Sequence, residues 1–151
     1  MFKNIVFHWT AGNYYPCDYD KIHYHFLVDK DGKVYKGKYT PENNLNCKNN
    51  NYAAHVKGGN TGRIGISICC MKDKDTPPVE TQVNMMCKKA AQLCIKYGID
   101  TENCITHAEF DPNRKIDINS LPYSGLSGVK ECADYLRTLV KEYYEELKEE
   151  K

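Results

Sequence analysis

The sequence lacks the features that mark membrane-spanning, secreted and nucleic-acid-binding proteins. No apolar run approaches the length of a transmembrane helix, and neither a basic region nor an apolar stretch of signal-peptide length precedes the first predicted strand. Lys and Arg number 21 and Asp and Glu number 20, so the net charge is only +1, with both signs spread along the chain. These absences predict synthesis in the cytoplasm, no membrane insertion and no nucleic-acid partner.

The eight cysteines include no Cys-x-x-Cys pair of the kind that structural zinc and redox sites use. Cys87 and Cys94 fall on the apolar stripe of a predicted helix and Cys104 enters a predicted strand, where a cysteine behaves as a small buried hydrophobe. Cys17 and Cys47 lie in polar segments and are expected to be more exposed. We therefore expect free thiols and assign none of them a chemical role.

The 151 residues, 41% of them apolar, are enough for one domain with a single core and too few for two. Hydrophobic periodicity and turn residues predict a succession of strands and helices, which indicates an α/β sheet with helices packed on it. The predicted elements are a strand over 3–9, an Asp-Gly hairpin over 24–36, a surface loop over 39–52, short strands over 53–56 and 104–106, a strand over 64–71, a helix from Pro77-Pro78 to Tyr97, and a final helix over 127–149.

The strand over 64–71 indicates where a cleft should lie. It alternates isoleucine with small side chains, and the small ones are Gly65, Ser67 and Cys69. Alternate residues of a strand point to opposite faces of its sheet, so one face is bulky and the other leaves room above it. We expect the cleft on the face of the small residues.

Three scattered residues offer the ligands of a catalytic zinc site. His8 ends the first predicted strand, and His107 and Asp117 lie within one later segment. Catalytic zinc takes three protein ligands of the His or carboxylate type and keeps a fourth position for water, so two His and one Asp complete the set. A turn at Pro112-Asn113 would fold the chain back and bring Asp117 to the same metal. Lys115, two residues earlier in extended chain, would then point the same way.

Four motifs that include these residues follow one another along residues 3–125. They are Phe7-His8-Trp9-Thr10-Ala11-Gly12, then Tyr24-His25-Phe26, then Ala54-His55 through Gly59-Asn60 to Ile64-Gly65-Ile66, and last Thr106-His107 with Arg114-Lys115-Ile116-Asp117. In content and order they resemble the type 2 N-acetylmuramoyl-L-alanine amidases. Phage endolysins, bacterial muropeptide amidases and animal peptidoglycan recognition proteins share this pattern. The resemblance implies a central mixed β-sheet flanked by helices.

The resemblance also implies roles for individual residues. His8, His107 and Asp117 match the three ligands of one zinc ion per chain. Tyr24 and Lys115 match catalytic residues, and both are expected to act on the oxyanion that forms when water attacks the amide carbonyl. His55 and Asn60 are candidates for the substrate groove, whereas His25 and Trp9 are expected to serve packing or support. The site that the sequence predicts therefore comprises three zinc ligands, two catalytic residues and two groove residues.

The sequence departs from the family pattern at several points. Muropeptide-recycling members carry a Glu after Ile-Gly-Ile, where this chain has Ser67. Because a carboxylate base is missing at this position, Tyr24 is expected to contribute more to catalysis. Ile118-Asn119 replaces a common Pro-Gly. The segment between His8 and Tyr24 is short, so a helix of longer relatives is expected to be truncated and the groove more open.

The resemblance implies hydrolysis of the amide bond between N-acetylmuramic acid and L-alanine, with peptidoglycan or muropeptides as the partner and the protein acting as a monomer. A phage-type endolysin released by a holin and a bacterial autolysin are both compatible with it. We expect residues 1–151 to form one catalytic domain with no separate wall-binding domain. A non-catalytic peptidoglycan binder, a protein-binding regulator on the same fold and a zinc hydrolase of another amide are the alternatives.

Overall fold

The central sheet has five strands, which are β1 (Asn4–Trp9), β2 (Phe26–Val28), β3 (Val34–Lys36), β4 (Arg63–Ile68) and β5 (Cys104–Thr106). They lie in the order β3-β2-β4-β1-β5; β2, β4, β1 and β5 are parallel and β3 is antiparallel. These elements come from a computed structural model that describes residues 1–71 and 75–150. The predicted α/β fold with a mixed sheet is confirmed.

The hairpin between β2 and β3 forms where the Asp-Gly signal predicts it. Asp29 stabilises its loop, because its Oδ1 accepts hydrogen bonds from the backbone N–H groups of Asp31 at 2.8 Å and Lys33 at 3.0 Å. Gly32 has a φ of +86°, a backbone conformation that side chains with a Cβ rarely adopt. The hairpin makes β3 the edge strand of the sheet.

Within residues 1–71 and 75–150, four α-helices and a second, two-stranded sheet accompany the central sheet. The helices are α1 (Asp18–His23), α2 (Glu80–Tyr97), α3 (His107–Phe110) and α4 (Val129–Glu149), and the small sheet pairs β6 (Ser120–Leu121) with β7 (Leu126–Ser127). Gly98 follows the last residue of α2 in a left-handed conformation, which favours glycine. Among the described residues, every helix falls short of the length or apolar character that a membrane span requires.

The apolar core lies between the bulky face of the sheet and the two long helices. Ile64, Ile66 and Ile68 of β4 are fully buried there together with side chains of α2 and α4. All eight cysteines are free; six are buried, Cys17 is exposed and Cys47 is partly buried, as expected from the sequence. Trp9 is also a core residue, 6% exposed. Packing of this face therefore accounts for most of the buried cysteines.

Two predictions for the middle of the chain need correction. Residues 53–55 have no regular structure and residue 56 is a bend, so the short strand predicted over 53–56 is wrong. The loop predicted over 39–52 contains two 3-10 helices, Pro41–Leu45 and Cys47–Asn49, and its Asn44 is fully buried. Asn44 bonds both backbone groups of Ala53 and thereby replaces a strand partner for this segment.

Candidate metal centre and catalytic cleft

Two of the three predicted ligands lie at the carboxyl ends of neighbouring parallel strands. β1 carries His8, and its Phe7 pairs with Thr106 of β5, the residue immediately before His107. His8 also pairs with Ser67 of β4 and lies on the small-residue face, where the sequence predicts the cleft. Parallel strands end at the same sheet edge, which is where α/β proteins place their binding sites. The sheet thus brings His8 and His107 together.

The short helix α3 holds His107 in place through a capping box. Thr106 Oγ1 accepts a hydrogen bond from Glu109 N at 3.2 Å, and Thr106 N donates to Glu109 Oε1 at 2.9 Å. The Glu109 carboxylate also receives two bonds from Arg137 of α4, at 2.8 and 3.0 Å, and Arg137 donates to Cys104 O at 3.1 Å. The element that carries His107 is therefore tied to the long C-terminal helix.

Asp117 reaches the same place because the chain turns back after α3. Backbone bonds to Asp111 O from Arg114 N and Lys115 N close the turn, at 3.1 and 2.9 Å. Ala108 N then donates to Asp117 O at 2.6 Å, which fixes the third ligand beside the second. The turn that the sequence predicts at Pro112-Asn113 lies within this segment, whose three consecutive turn residues are 112–114.

The three ligand atoms have the spacing of a zinc site. His8 Nδ1 is 3.0 Å from His107 Nδ1, and each of these nitrogens is 3.4 Å from Asp117 Oδ2. Two atoms bound at about 2.0–2.1 Å to a tetrahedral ion lie roughly 3.3 Å apart. All three residues are buried, and together they form a group that could hold a metal ion. The residues present therefore fit zinc in both donor type and spacing.

A chain of hydrogen bonds fixes the tautomer of His8. His55 Nε2 lies 3.0 Å from the carbonyl oxygen of Arg63, which can only accept, so this nitrogen carries the proton. Neutral His55 then offers the lone pair of Nδ1 to His8 Nε2, at 2.9 Å, and His8 Nε2 must donate. The lone pair of His8 is left on Nδ1, which faces His107 and Asp117. This is the tautomer that a metal ligand requires.

Burial keeps these histidines neutral. Desolvation lowers the pKa of His8, and it lowers the pKa of His55 well below the usual value, with a further contribution from the neighbouring histidines. A neutral imidazole is the form that binds metal, so no proton has to leave His8 at neutral pH. The lone pair of His8 Nδ1 and the Asp117 carboxylate then face each other, an arrangement that a cation stabilises.

His25 lies next to His55 and supports the hydrogen-bond relay that joins the Arg63 carbonyl, His55 and His8. Its Nδ1 accepts from Gly65 N at 2.9 Å, so Nε2 donates to Asn44 Oδ1 at 2.9 Å. Burial lowers the pKa of His25 to about 4. The His25 ring lies 5.6 Å from that of His55, centroid to centroid. The supporting role predicted for His25 agrees with this geometry.

A cleft of about 430 Å³ opens above these groups, lined by Tyr24, His55, His107, Lys115 and Asp117. An adjoining depression shares His55, His107 and Lys115 and adds Asn60. Among residues 1–71 and 75–150, no carboxylate lies within ion-pair distance of Lys115. The predicted catalytic and groove residues therefore meet around one cleft, with the Lys115 ammonium available to a bound molecule.

The sequence profile of a known enzyme family matches residues 2–120, most of the chain; its description is N-acetylmuramoyl-L-alanine amidase. The chain belongs to the N-acetylmuramoyl-L-alanine amidase family. The enzyme class predicted from the motifs, a peptidoglycan amidase, is thereby confirmed. No curated protein sequence matches the chain significantly.

Several solved structures share the amidase fold at low sequence identity. The amidase LysC from Clostridium intestinale URNW is 23% identical over 82% of each chain, with a TM-score of 0.58. The Ph2119 endolysin from a Thermus scotoductus bacteriophage is 20% identical over 79% of each chain, with a TM-score of 0.57. AmiD from E. coli is 20% identical over 78% of this chain and 52% of its own, with a TM-score of 0.55. At these identities the likeness establishes the fold.

Tyr24 of this amidase lies beside His8, and burial affects its hydroxyl. Its ring lies 5.0 Å from the ring of His8, centroid to centroid. Burial raises the pKa of Tyr24 above its ordinary value, more than a hydrogen bond with Ser67 lowers it, so the hydroxyl keeps its proton at neutral pH. Ser67 is fully buried and lies under the cleft. Ser67 stands at the position where some relatives carry Glu, and its side chain hydrogen-bonds the Tyr24 hydroxyl.

The predicted groove residues His55 and Asn60 also make structural hydrogen bonds that the sequence does not reveal. His55 uses both ring nitrogens in the relay, and Asn60 Oδ1 accepts from the backbone N–H groups of His55 and Val56, both at 2.9 Å. Their contact with substrate stays a prediction. Asn44 and Arg137 were not predicted at all. The Thr-x-x-Glu sequence of residues 106–109 is a capping-box signal from which the α3 anchor could have been read.

Proposed function

We propose that this amidase is zinc-dependent and cleaves the bond between N-acetylmuramic acid and L-alanine in peptidoglycan or muropeptides. The observation that carries the proposal is the convergence of His8 Nδ1, His107 Nδ1 and Asp117 Oδ2 at 3.0–3.4 Å in an open cleft. These three atoms would hold the ion. When bound, zinc supplies positive charge for the substrate carbonyl and lowers the pKa of water to about 7.

The remaining cleft residues serve the charge that develops during the reaction. Addition of water to the amide carbon places negative charge on the carbonyl oxygen. The Lys115 ammonium and the Tyr24 hydroxyl would stabilise this oxyanion, since both line the cleft beside Asp117 and the ligands. The carbon–nitrogen bond then breaks, the hydroxyl stays on the lactyl carbon, and a proton passes to the amine of L-alanine. Ser67 cannot act as the carboxylate base that some relatives carry.

The substrate class follows from the family and from the shape of the groove. The structure of AmiD contains a substrate composed of anhydro-N-acetylmuramic acid and a short peptide. A substrate of this kind needs room on both sides of the scissile bond, which the cleft at Tyr24 and the depression at Asn60 provide, with volumes of about 430 and 480 Å³. We propose that His55 and Asn60 flank the bound muropeptide and that the enzyme acts on the cell wall as a monomer.

Defined muropeptides test the proposal directly. The purified protein is incubated with an N-acetylmuramoyl-peptide, with and without chelator, and the products are identified by mass spectrometry. The expected result is cleavage at the lactyl–alanine amide that stops on chelation and returns with zinc. Binding without cleavage by zinc-loaded protein would favour a peptidoglycan-binding module, and cleavage that persists after verified metal removal would exclude zinc dependence.

A further inference from the structure

A second concave site lies outside the catalytic cleft, between the edge strand β3, the following segment 39–42 and α2. Its volume is about 250 Å³. The floor is apolar, with Phe26 6% and Leu93 3% exposed. Both floor residues belong to the core between the sheet and α2, and the site shares no lining residue with the catalytic cleft. It is therefore separate from the amidase site.

Three lysines line this pocket, and none of them forms an ion pair within the described part of the chain. Lys36 comes from β3, and Lys89 and Lys96 come from α2 two turns apart. Within the described ranges 1–71 and 75–150, none of the three has a carboxylate within 4.0 Å. Glu42 also lines the pocket, and its Oε2 accepts a bond from Tyr97 OH at 2.6 Å, so the lining carries three ammonium groups and one carboxylate. The chain as a whole has a net charge of +1, so this excess of positive charge is local.

Lys89 is held in the pocket by an aromatic ring. Its Nζ lies 4.4 Å from the centroid of Phe26, a cation–π contact, and the side chain is partly buried. Burial lowers the pKa of Lys89, and repulsion from Lys36 and Lys96 lowers it further. A bound anion stabilises a partly desolvated ammonium beside two like charges, because it offsets both the desolvation and the repulsion between the charges.

We propose that this pocket binds a phosphate group carried by a small molecule. A phosphate ester carries up to two negative charges and several acceptor oxygens, so it matches several ammonium groups better than a single carboxylate does. The Gln92 side chain adds a neutral donor to the lining, and the Tyr39 and Tyr97 rings border space beyond that of a bare phosphate. The body of the molecule would pack against these rings.

The test is a titration of ¹⁵N-labelled protein followed by NMR at constant ionic strength. The probes are inorganic phosphate, glycerol 3-phosphate and acetate. We expect saturable shifts confined to residues 25–26, 36–42 and 89–97 with both phosphates, tighter binding of glycerol 3-phosphate, and no saturation with acetate. Equal binding of both phosphates would limit the site to the free ion and overturn the small-molecule part of the proposal. Saturation by acetate, or shifts that grow linearly, would overturn the phosphate site itself.

A matched pair of variants separates the pocket from general electrostatics. Lys89→Ala should weaken phosphate binding at least about tenfold, as expected for the loss of a charge-assisted hydrogen bond. Lys88→Ala removes the same charge from the adjacent residue of α2, outside the pocket, and should change binding less than about twofold. Equal losses in the two variants would contradict the proposal. Lys89→Met keeps the contact with Phe26 and serves if the Ala variant unfolds; both should retain amidase turnover.

Discussion

The two faces of the central sheet contrast in what they bury. On the face covered by α2 and α4, β4 contributes Ile64, Ile66 and Ile68, which are fully buried among apolar neighbours. On the opposite face the neighbouring strand positions hold His8 and Ser67, equally buried but polar. Burial of apolar area is the main source of stability, whereas a buried polar group costs free energy unless it is bonded. The first face stabilises the fold, and the second holds the candidate metal centre.

The contrast predicts that removal of a ligand abolishes activity without unfolding the protein. Asp117→Ala and His107→Ala should each lower bound zinc well below one ion per chain and reduce muropeptide hydrolysis to background. Metal content is measured by mass spectrometry of the protein and folding by circular dichroism. Asp111→Ala, in the same loop but paired with Arg114, is the control and should keep its zinc. Undiminished zinc in both ligand variants would refute the assignment.

The next largest effect is expected for Lys115 and Tyr24, the residues proposed to act on the oxyanion. Loss of one such donor typically costs about 100- to 1000-fold in turnover, so Lys115→Ala and Tyr24→Phe should fall in that range with zinc still bound. Both should lower kcat more than they raise KM, because the oxyanion exists only after attack. Lys115 carries a full charge, and its variant should be the slower of the two.

A neighbouring cation supplies the control for Lys115. Arg114 lines the same cleft, but its guanidinium bonds Asp111 at 2.8 Å. Arg114→Ala should therefore lose much less turnover than Lys115→Ala. Equal losses would indicate that the cleft needs general positive charge, and wild-type turnover in zinc-replete Tyr24→Phe would remove the tyrosine from the mechanism.

Sequence reasoning succeeded where a signal is periodic or local. The isoleucine alternation of residues 64–68 locates β4 and its open face, and the Asp-Gly pair locates the hairpin. The ligand set was predictable because His and Asp at strand ends and after a turn are few in this chain. The order of the motifs then supplied the family and the mixed sheet.

Sequence reasoning failed where a role depends on a distant partner. Asn44 belongs to an asparagine-rich polar stretch, which gives no sign that one amide is buried against Ala53 and His25. Residues 53–56 are partly apolar like a strand, yet the backbone of Ala53 bonds the Asn44 side chain, and that of His55 and Val56 bonds Asn60 Oδ1, instead of a neighbouring strand. The link from His55 to His8 joins positions 47 residues apart, so spacing alone could not reveal it.

A smaller effect is expected for His55, which bonds the proposed ligand His8 without belonging to the proposed ligand set. His55→Ala removes the acceptor for His8 Nε2 and should weaken zinc binding about 10- to 100-fold, the usual cost of losing such a partner. His55→Asn retains an acceptor oxygen and should recover part of the affinity. Competition with a chromogenic chelator measures both. If zinc affinity is unchanged while KM rises, His55 serves the substrate and not the ligand.

On the apolar face a substitution should change stability and leave the chemistry intact. Leu136 of α4 is fully buried in the core, and Leu→Ala substitutions at such sites cost about 2–5 kcal/mol. We expect Leu136→Ala to lower the denaturant midpoint while zinc content and turnover per folded molecule stay near wild type. Arg137→Ala, one residue on, would instead disturb the α3 anchor through Glu109. Loss of zinc from folded Leu136→Ala protein would show that the two faces are coupled.

The smallest effect on activity is expected for Cys69, which tests the boundary between the faces. It follows β4 in the register of Gly65 and Ser67, yet its thiol is fully buried, and burial raises its pKa to about 12. A buried thiol that keeps its proton is a weak nucleophile at neutral pH, and Cys69 lies outside the group His8, His107 and Asp117 that could hold a metal ion. Cys69→Ala should therefore keep full zinc content and turnover, with a modest loss of stability from the smaller side chain. If the folded variant lost metal or activity, the polar site would include Cys69 as well as the three proposed ligands.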